Sequence, residues 1–325
     1  MRRREFFGIV GAWAWTFAAP AIAQPVSRTI RVGMLTPTDA EGRRRSLLQG
    51  FESVGYREGQ NLVLEIRSAD GRLEQLKPLA DELTRTNVDV IVSVNTPGTQ
   101  AAIATTTKIP IVMALVGDPV GSGLVPNLNR PGGNVTGVSN ASGETAGKRL
   151  ALLKQAIPSA RRIAVFTHPD DPVRIRQLRE VEETSPVLGI ETKIFNVVES
   201  RDDIERAVAE AVAWKADAVF RVLAQTAPSL LRFQADLLLR HRLPAMLANR
   251  MDVVNGGLMS YFADLPEHWN QVAACVDRIV KGAAPGELPV MLPTKFQFVL
   301  NIKTAKALGL TLPASTLALA DEVIE

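Results

Sequence analysis

The sequence predicts an α/β protein of two similar lobes, each built on a mostly parallel sheet with helices on both faces. Short β-rich runs alternate with helical patterns from residue 29 onward, which is typical of βαβ units. This alternation passes through two successive series of five strands, although the two series share no alignable sequence repeat. A chain of 325 residues is also long enough to form two domains with separate cores.

The first series has its strands at residues 30–35, 62–67, 88–94, 109–115 and 134–138. The third of these is a near-continuous apolar run, which favours a strand buried on both faces. Apolar residues at helical spacing predict helices near 47–54 and 73–83, and another helix is predicted at 98–107.

The second series has its strands at residues 162–167, 191–197, 216–222, 244–247 and 257–261. Helices are predicted at 147–157, 172–188 and 228–241, and Ser200 is predicted to cap a helix that ends near Trp214. The rest of the chain predicts a helix over 265–281, a strand over 296–300 and a helix over 303–308.

The start of the chain resembles an export signal. Arg2, Arg3 and Arg4 precede an apolar run over 6–19 and a small-residue site that ends at Ala23. We predict a signal peptide at 1–23 that is cleaved after Ala23, by either the general secretory or the twin-arginine route. The net charge of +3 falls to about +1 without this segment, so no nucleic-acid surface is indicated.

Metal and disulfide chemistry have no support in the sequence. Cys275 is the only cysteine, so it is predicted to be a core residue. The three histidines, His168, His241 and His268, lack the spacing of a metal site. The run Arg43 to Arg45 is interpreted as a solvated helix start rather than a phosphate clamp.

The predicted binding site lies at the carboxyl ends of the strands, where parallel sheets form their crevice. Four residue–proline pairs stand at apparent helix starts: Thr96-Pro97, Asp118-Pro119, Asp171-Pro172 and Ala227-Pro228. Proline suits the first helical position, and the free N–H groups there attract anions. We therefore predict that the loop 95–99 holds the anionic end of a ligand, although most such helix starts bind nothing.

Two further residues have alternative interpretations. Asp118 either contacts a ligand ammonium or only caps a helix. Tyr261 either contacts ligand or covers the edge of the core. No dinucleotide fingerprint, Walker A lysine or nucleophile elbow occurs, so no catalytic residue and no cofactor are predicted.

Ordered motifs across the mature chain resemble the ABC-transporter substrate-binding family that includes the tryptophan-type binding proteins. They are GYREGQN at 55–61, VGDPV at 116–120, GLV at 123–125, RPGGNVTGV at 130–138, GGLMSY at 256–261, VDRIVKG at 276–282, the run 293–305 and ADEVIE at 320–325. Two regions depart from the family: Phe262 replaces the usual glycine after the tyrosine, and the loop 36–39 with its arginine run is individual. Ligand selectivity is expected to be set there.

The resemblance implies a type I periplasmic binding protein with two Rossmann-like lobes joined by a multi-crossing hinge. Lobe 1 is expected at 28–142 plus 264–290, and lobe 2 at 143–263 plus 291–325. The implied ligand is a small carboxylate, either an amino acid, often aromatic, or another organic acid. The ligand contacts expected by matching position are these: Asn95, Thr96, Pro97, Gly98, Thr99, Asp118 and Tyr261, with Thr36, Ala224, Gln225 and Asn249 as secondary contacts.

The resemblance also implies a biological setting. The protein is expected in the periplasm as a monomer, delivering its ligand to an ABC permease in the inner membrane, with no nucleic-acid partner and no enzymatic activity. A sensor ectodomain and an exported enzyme on the same architecture are the alternatives. The missing catalytic motifs weigh against the enzyme, and the missing signalling domain weighs against the sensor.

Overall fold

The computed structural model describes residues 28–169, 171, 173–198, 200–222 and 228–325. The predicted signal peptide and the candidate contacts Ala224 and Gln225 lie outside these described residues. Within them the chain forms two separate sheets of mostly parallel strands with helices packed on them. The predicted α/β fold class is confirmed.

The first sheet has five strands in the order β2-β1-β3-β4-β5, and all neighbouring strands are parallel. Its strands are β1 (Ile30–Thr36), β2 (Leu62–Ser68), β3 (Val90–Val94), β4 (Ile111–Val116) and β5 (Val135–Ser139). Its helices are α1 (Ala40–Ser53), α2 (Leu76–Arg85) and α3 (Asn95–Ile103). All five residues of β3 are buried, as its apolar sequence predicts.

The second sheet has seven strands in the order β12-β11-β10-β9-β8-β6-β7. Its strands are β6 (Arg162–Thr167), β7 (Glu191–Asn196), β8 (Ala218–Arg221), β9 (Ala245–Leu247), β10 (Met259–Ala263), β11 (Phe296–Asn301) and β12 (Glu322–Ile324). The remaining helices are α4 (Ala146–Ala156), α5 (Arg174–Val187), α6 (Arg201–Ala213), α7 (Pro228–Arg240), α8 (Arg250–Val254), α9 (Leu265–Val280), α10 (Ile302–Ala307) and α11 (Ala314–Leu317). The pair β10–β11 is antiparallel, because the chain leaves the sheet after β10 and returns in the opposite direction.

Two helix starts differ from the prediction. Helix α3 begins at Asn95, whose φ of 60° is left-handed, so Thr96 lies inside the helix and is not its cap. The predicted helix start at Asp118-Pro119 is wrong. Residues 118–123 form a turn instead, in which the Ser122 N–H donates to the Asp118 carbonyl at 3.0 Å.

Helix α9 belongs to the core of the first sheet although it follows β10 of the second. Trp269, Val272 and Val276 are buried in one cluster with residues of β1, β3 and β4. A Cβ atom on Gly50 of α1 would lie 2.4 Å from the Trp269 carbonyl oxygen, so only glycine permits this close approach of the two helices. Cys275 is buried beside them, as predicted, and burial raises the pKa of its thiol to about 12.

The chain passes between the two sheets after β5, after β10 and before β11. The third passage runs alongside β5, where the Met291 N–H donates to the Gly137 carbonyl and the Ser139 N–H donates to the Met291 carbonyl, both at 2.9 Å. In the part of the chain that the structure describes, no helix is both long enough and apolar enough to cross a membrane.

Candidate functional site

A cleft of about 680 Å³ lies between α1 of the first lobe and the β10–β11 pair of the second. Its volume is within the range that accommodates small ligands. The first turn of α9 and the first turns of α7 and α8 close its sides. Elements of both lobes therefore line one cavity, so a ligand in it would touch both.

Strand alternation decides which residues form the floor. Ser260 and Phe262 of β10 line the cleft together with Gln297 and Val299, their partners on β11. Tyr261 points to the opposite face of the sheet, since successive side chains of a strand alternate. Its ring stacks on Phe296 with centroids 5.3 Å apart, and it packs against the core of the second lobe.

The roof of the cleft is the loop after β1 and the first turns of α1. The Thr36 hydroxyl is buried and donates to the Thr38 carbonyl at 2.6 Å, which holds the loop in shape. Asp39 has a left-handed backbone and caps α1 by accepting the Gly42 N–H at 3.2 Å. Thr38 and Asp39 both line the cleft, so Thr36 supports the lining without forming part of it.

The three consecutive arginines of α1 point in three directions. Arg44 pairs with Glu58, and Arg45 is exposed, with its guanidinium 3.9 Å from the Glu41 carboxylate. Arg43 is half-buried and lines the cleft, and its Nε is shut off from water with no hydrogen-bond partner among the described residues. The interpretation of the run as a solvated helix start is therefore wrong for Arg43. Burial lowers the pKa of Arg43, and the charge of Asp39 opposes that shift.

The back of the cleft is a β-bulge at the end of β4. Leu115 lines the cavity with a left-handed φ of 57°, where the register between β4 and β5 shifts. Its N–H donates to His268 Nε2 at 3.0 Å, and its carbonyl accepts from Asn140 Nδ2 at 3.2 Å. Such a backbone conformation is costly for a leucine, so these two side chains hold the strained wall in place.

His268 must be neutral to hold the bulge, because a protonated Nε2 cannot accept the Leu115 N–H. Burial, and to a smaller extent the charge of Arg43, lowers the pKa of His268 to about 3 from an ordinary value of 6.5. A pKa lowered by folding gives stability that is complete above 6.5 and is lost as the pH falls toward 3. We expect His268 alone to remove about 1 kcal/mol of unfolding free energy between pH 7.5 and 5.5.

Urea unfolding of the wild type and His268→Gln at those two pH values measures this effect. Glutamine keeps an acceptor for the Leu115 N–H but does not titrate. The wild type should lose about 1 kcal/mol more than the variant on acidification. Equal losses in the two proteins would show that His268 is not held neutral by the fold.

Asn249 lines the cleft at the start of α8. Its side chain accepts the Met251 N–H at 2.9 Å, and the Asp252 carboxylate accepts the Asn249 N–H at 3.0 Å. Asp252 is buried, and its carboxylate also accepts a hydrogen bond from Arg221 Nη1 at 3.0 Å. A buried ion pair therefore positions this edge of the cleft. The described residues contain no group of three or more His, Cys, Asp or Glu side chains that could hold a metal ion.

The other predicted contacts do not line this cleft. Thr96 and Thr99 are buried at the start of α3, and the Thr99 hydroxyl donates to the Asn95 carbonyl at 2.9 Å. Pro97 and Gly98 lie beside them, where Gly98 approaches the end of β1. Asp118 accepts the Gly121 N–H at 2.8 Å and so caps a turn. Ligand contact by these residues stays a prediction.

Sequence reasoning did not select Arg43, Ser260 or Phe262 as contacts. A signal for two of the three existed, since Phe262 and the arginine run belong to the two regions that depart from the family pattern. The structure brings these two regions together on opposite sides of one cleft. Ser260 carried no such signal.

Comparisons with known proteins agree with this architecture. A family model described as ABC transporter substrate binding protein matches residues 35–324. The chain is 24% identical over 267 residues to the Tyrosine-binding protein of Clostridioides difficile strain R20291, which covers 82% of this chain and 76% of that protein.

Two solved structures share the whole two-lobe arrangement. A conserved domain protein from Vibrio cholerae has a TM-score of 0.83 and 28% identity, covering 91% of this chain and 100% of that one. An ABC domain from Streptococcus pneumoniae in complex with L-Trp has a TM-score of 0.81 and 25% identity, with the same coverage. Both are proteins that this chain resembles, and L-Trp is the ligand of the Streptococcus pneumoniae structure.

Proposed function

This chain belongs to the ABC transporter substrate binding protein family, and from that premise we propose that it is the solute-binding component of an ABC importer. Its ligand is a small carboxylate, either an amino acid or another organic acid, held in the cleft between the lobes. The observation that carries the proposal is the cleft itself, which is of ligand size and is lined from both lobes.

The lining favours a ligand with an apolar body and a few polar groups. Leu115, Leu231, Phe262 and Leu265 supply apolar walls, while Asn249 and Gln297 supply side-chain amides. Apolar walls with few polar groups are typical of small-molecule sites. Relatives named for tyrosine and crystallised with L-Trp support an amino acid, including an aromatic one.

Among the contacts expected from sequence, Asn249 has direct support because it lines the cleft. Thr36 has indirect support because it shapes the loop that carries Thr38. Contacts by residues 95–99, Asp118 and Tyr261 are part of the proposal without support from the lining of this cleft. Contacts by Ala224 and Gln225 are also part of it, and both residues lie outside the described part of the chain.

Binding is proposed to close the lobes. A ligand that touches α1 and β10 together favours the closed state by its difference in affinity for the two states, which amounts to several kcal/mol for a complete shift. The protein then presents the ligand to an inner-membrane permease, acting in the periplasm as a monomer after export. It performs no catalysis, since binding and release are its whole function.

A thermal-shift screen of the purified protein tests this function. The panel holds aromatic and aliphatic amino acids, aromatic acids and neutral sugars, each at several concentrations. We expect a concentration-dependent rise in Tm with at least one carboxylate, because a ligand that binds only the folded state stabilises it. A response to sugars alone, or chemical conversion of the stabilising compound, would contradict the proposal.

A further inference from the structure

We propose that Arg43 is the specificity-determining residue of this cleft and holds the carboxylate of the ligand through its guanidinium. This inference rests on the proposed function, because it names a contact within the same cavity. It differs from the sequence-based expectation, which placed the carboxylate at residues 95–99.

Three arginines line the cleft, and Arg43 is the one whose guanidinium has no carboxylate of the described residues within 4.0 Å. The Arg45 guanidinium lies near Glu41, and Arg250 is held by Glu322 through two hydrogen bonds of 2.6 and 2.7 Å. No ion pair within 4.0 Å joins Arg43 to a carboxylate among the described residues, and Asp39 acts on it only at longer range. A ligand that enters the cleft therefore meets one guanidinium, that of Arg43, with no carboxylate of the described residues within 4.0 Å of it.

The surroundings of Arg43 make an anionic partner favourable. Its Nε–H is buried without an acceptor among the described residues, so this part of the guanidinium is desolvated without a compensating hydrogen bond. Leu115 lies at the back of the same cavity and is held from behind by the buried, neutral His268, so the effective dielectric constant there is low. A carboxylate that accepts two parallel N–H bonds from the planar guanidinium relieves this cost and gives directional recognition.

The floor of the cleft is suited to the rest of such a ligand. Phe262 offers an aromatic surface, and the buried Ser260 hydroxyl has no hydrogen-bond partner among the described residues. Arg43 on the roof and this floor belong to different lobes. A carboxylate held at Arg43 with an apolar body on Phe262 therefore links the two lobes, as closure requires.

The start of α3 is a weaker anchor for the carboxylate. The Thr99 hydroxyl already donates to the Asn95 carbonyl and lies 2.9 Å from the Ser93 hydroxyl. Thr99 is fully buried, so reaching it would require the helix start to open. Arg43 needs no such change, because it already lines the cavity.

The test measures affinities of Arg43→Gln, Arg43→Lys and the wild type for matched acids and primary amides. The probes are benzoate, 3-phenylpropanoate, L-phenylalanine, L-tyrosine and L-tryptophan with their amides, titrated calorimetrically. Arg44→Gln is the matched control, since Arg44 is the next arginine on the same helix, pairs with Glu58 and does not line the cleft. The Tm of each variant without ligand shows that it is folded.

We expect the wild type to bind at least one acid about 100-fold more tightly than its amide. Arg43→Gln should bind that acid about 100-fold more weakly and discriminate poorly between acid and amide. Arg43→Lys keeps the positive charge but cannot donate two parallel N–H bonds, so its loss of acid affinity should be intermediate. Arg44→Gln should match the wild type.

Acid affinity within threefold of the wild type in Arg43→Gln would overturn the inference and leave the proposed function intact, with the carboxylate held elsewhere. Binding of sugars alone by the wild type would overturn both. If Arg43→Gln does not fold, Arg43→Lys decides the matter: unchanged acid affinity and unchanged acid-to-amide preference in that variant would contradict the bidentate contact.

Discussion

Asp252→Ala is expected to lower the free energy of unfolding by about 3–5 kcal/mol, because it breaks a buried ion pair. Arg221 and Asp252 have side chains that are each 1% exposed, and their charged atoms lie 3.0 Å apart. Arg149 is buried nearby, donates to the Arg221 and Leu247 carbonyls, and has its pKa lowered to about 10 by burial. Asp252→Ala therefore breaks a buried ion pair and also removes the acceptor of the Asn249 N–H.

Guanidinium chloride unfolding measures the effect, and the second ion pair of α8, between Arg250 and Glu322 of β12, offers a matched control. Glu322→Gln removes the partner of Arg250, whose ion pair is partly exposed, with side-chain exposures of 47% and 32%. Exposed pairs contribute little, so this control should cost less than about 1 kcal/mol. Similar losses in the two variants would show that burial does not set the cost. Asp252→Ala should also loosen the start of α8 and with it the Asn249 edge of the cleft.

Phe262→Ala is expected to weaken ligand binding by about 1.5–3 kcal/mol, or roughly 10- to 150-fold. The ring forms part of the floor of the cleft and packs against the core cluster of the first lobe, so a bound apolar body would complete its burial. Its removal should act mainly on affinity for ligands with large apolar bodies. The loss should be small for short polar acids, which leave this surface uncovered.

Calorimetric titration of Phe262→Ala against the best carboxylate from the screen measures this loss. Phe296→Ala is the matched control, because it removes an equal ring from the opposite face of the same strand pair, where Phe296 stacks on Tyr261. The control should change stability but leave affinity within about threefold. Loss of affinity in the control rather than in Phe262→Ala would mean that the ligand lies on the other face of the sheet.

Periodicity in the sequence was sufficient for most of the fold. The apolar run of β3, the Ser200 cap of α6 and the amphipathic pattern of α9 each determine an element through local physical chemistry. The short elements were missed: α8, α11 and β12 have three to five residues each. Such segments are too short for a period to show, and tertiary contacts such as the pair Arg250–Glu322 stabilise them.

The site was harder to predict because it depends on which face of a strand or helix each side chain occupies. A motif that ends in Tyr261 does not reveal which of three consecutive β10 residues faces the cleft, and alternation gives that role to Ser260 and Phe262. Likewise, each step along α1 turns by about 100°, so Arg43 and Arg45 line the cleft whereas Arg44 between them pairs with Glu58. The proline rule was right at Pro228, where α7 begins, and wrong at Asp118, where the segment is a turn.

The central claim is that the cleft between the lobes binds one small carboxylate. Isothermal titration of the purified protein with the best acid from the screen, and with its primary amide, tests that claim most directly. We predict a stoichiometry of one ligand per chain for the acid, with heat that disappears or falls sharply for the amide. Equal binding of acid and amide, or binding of neutral sugars with no response to any carboxylate, would contradict it.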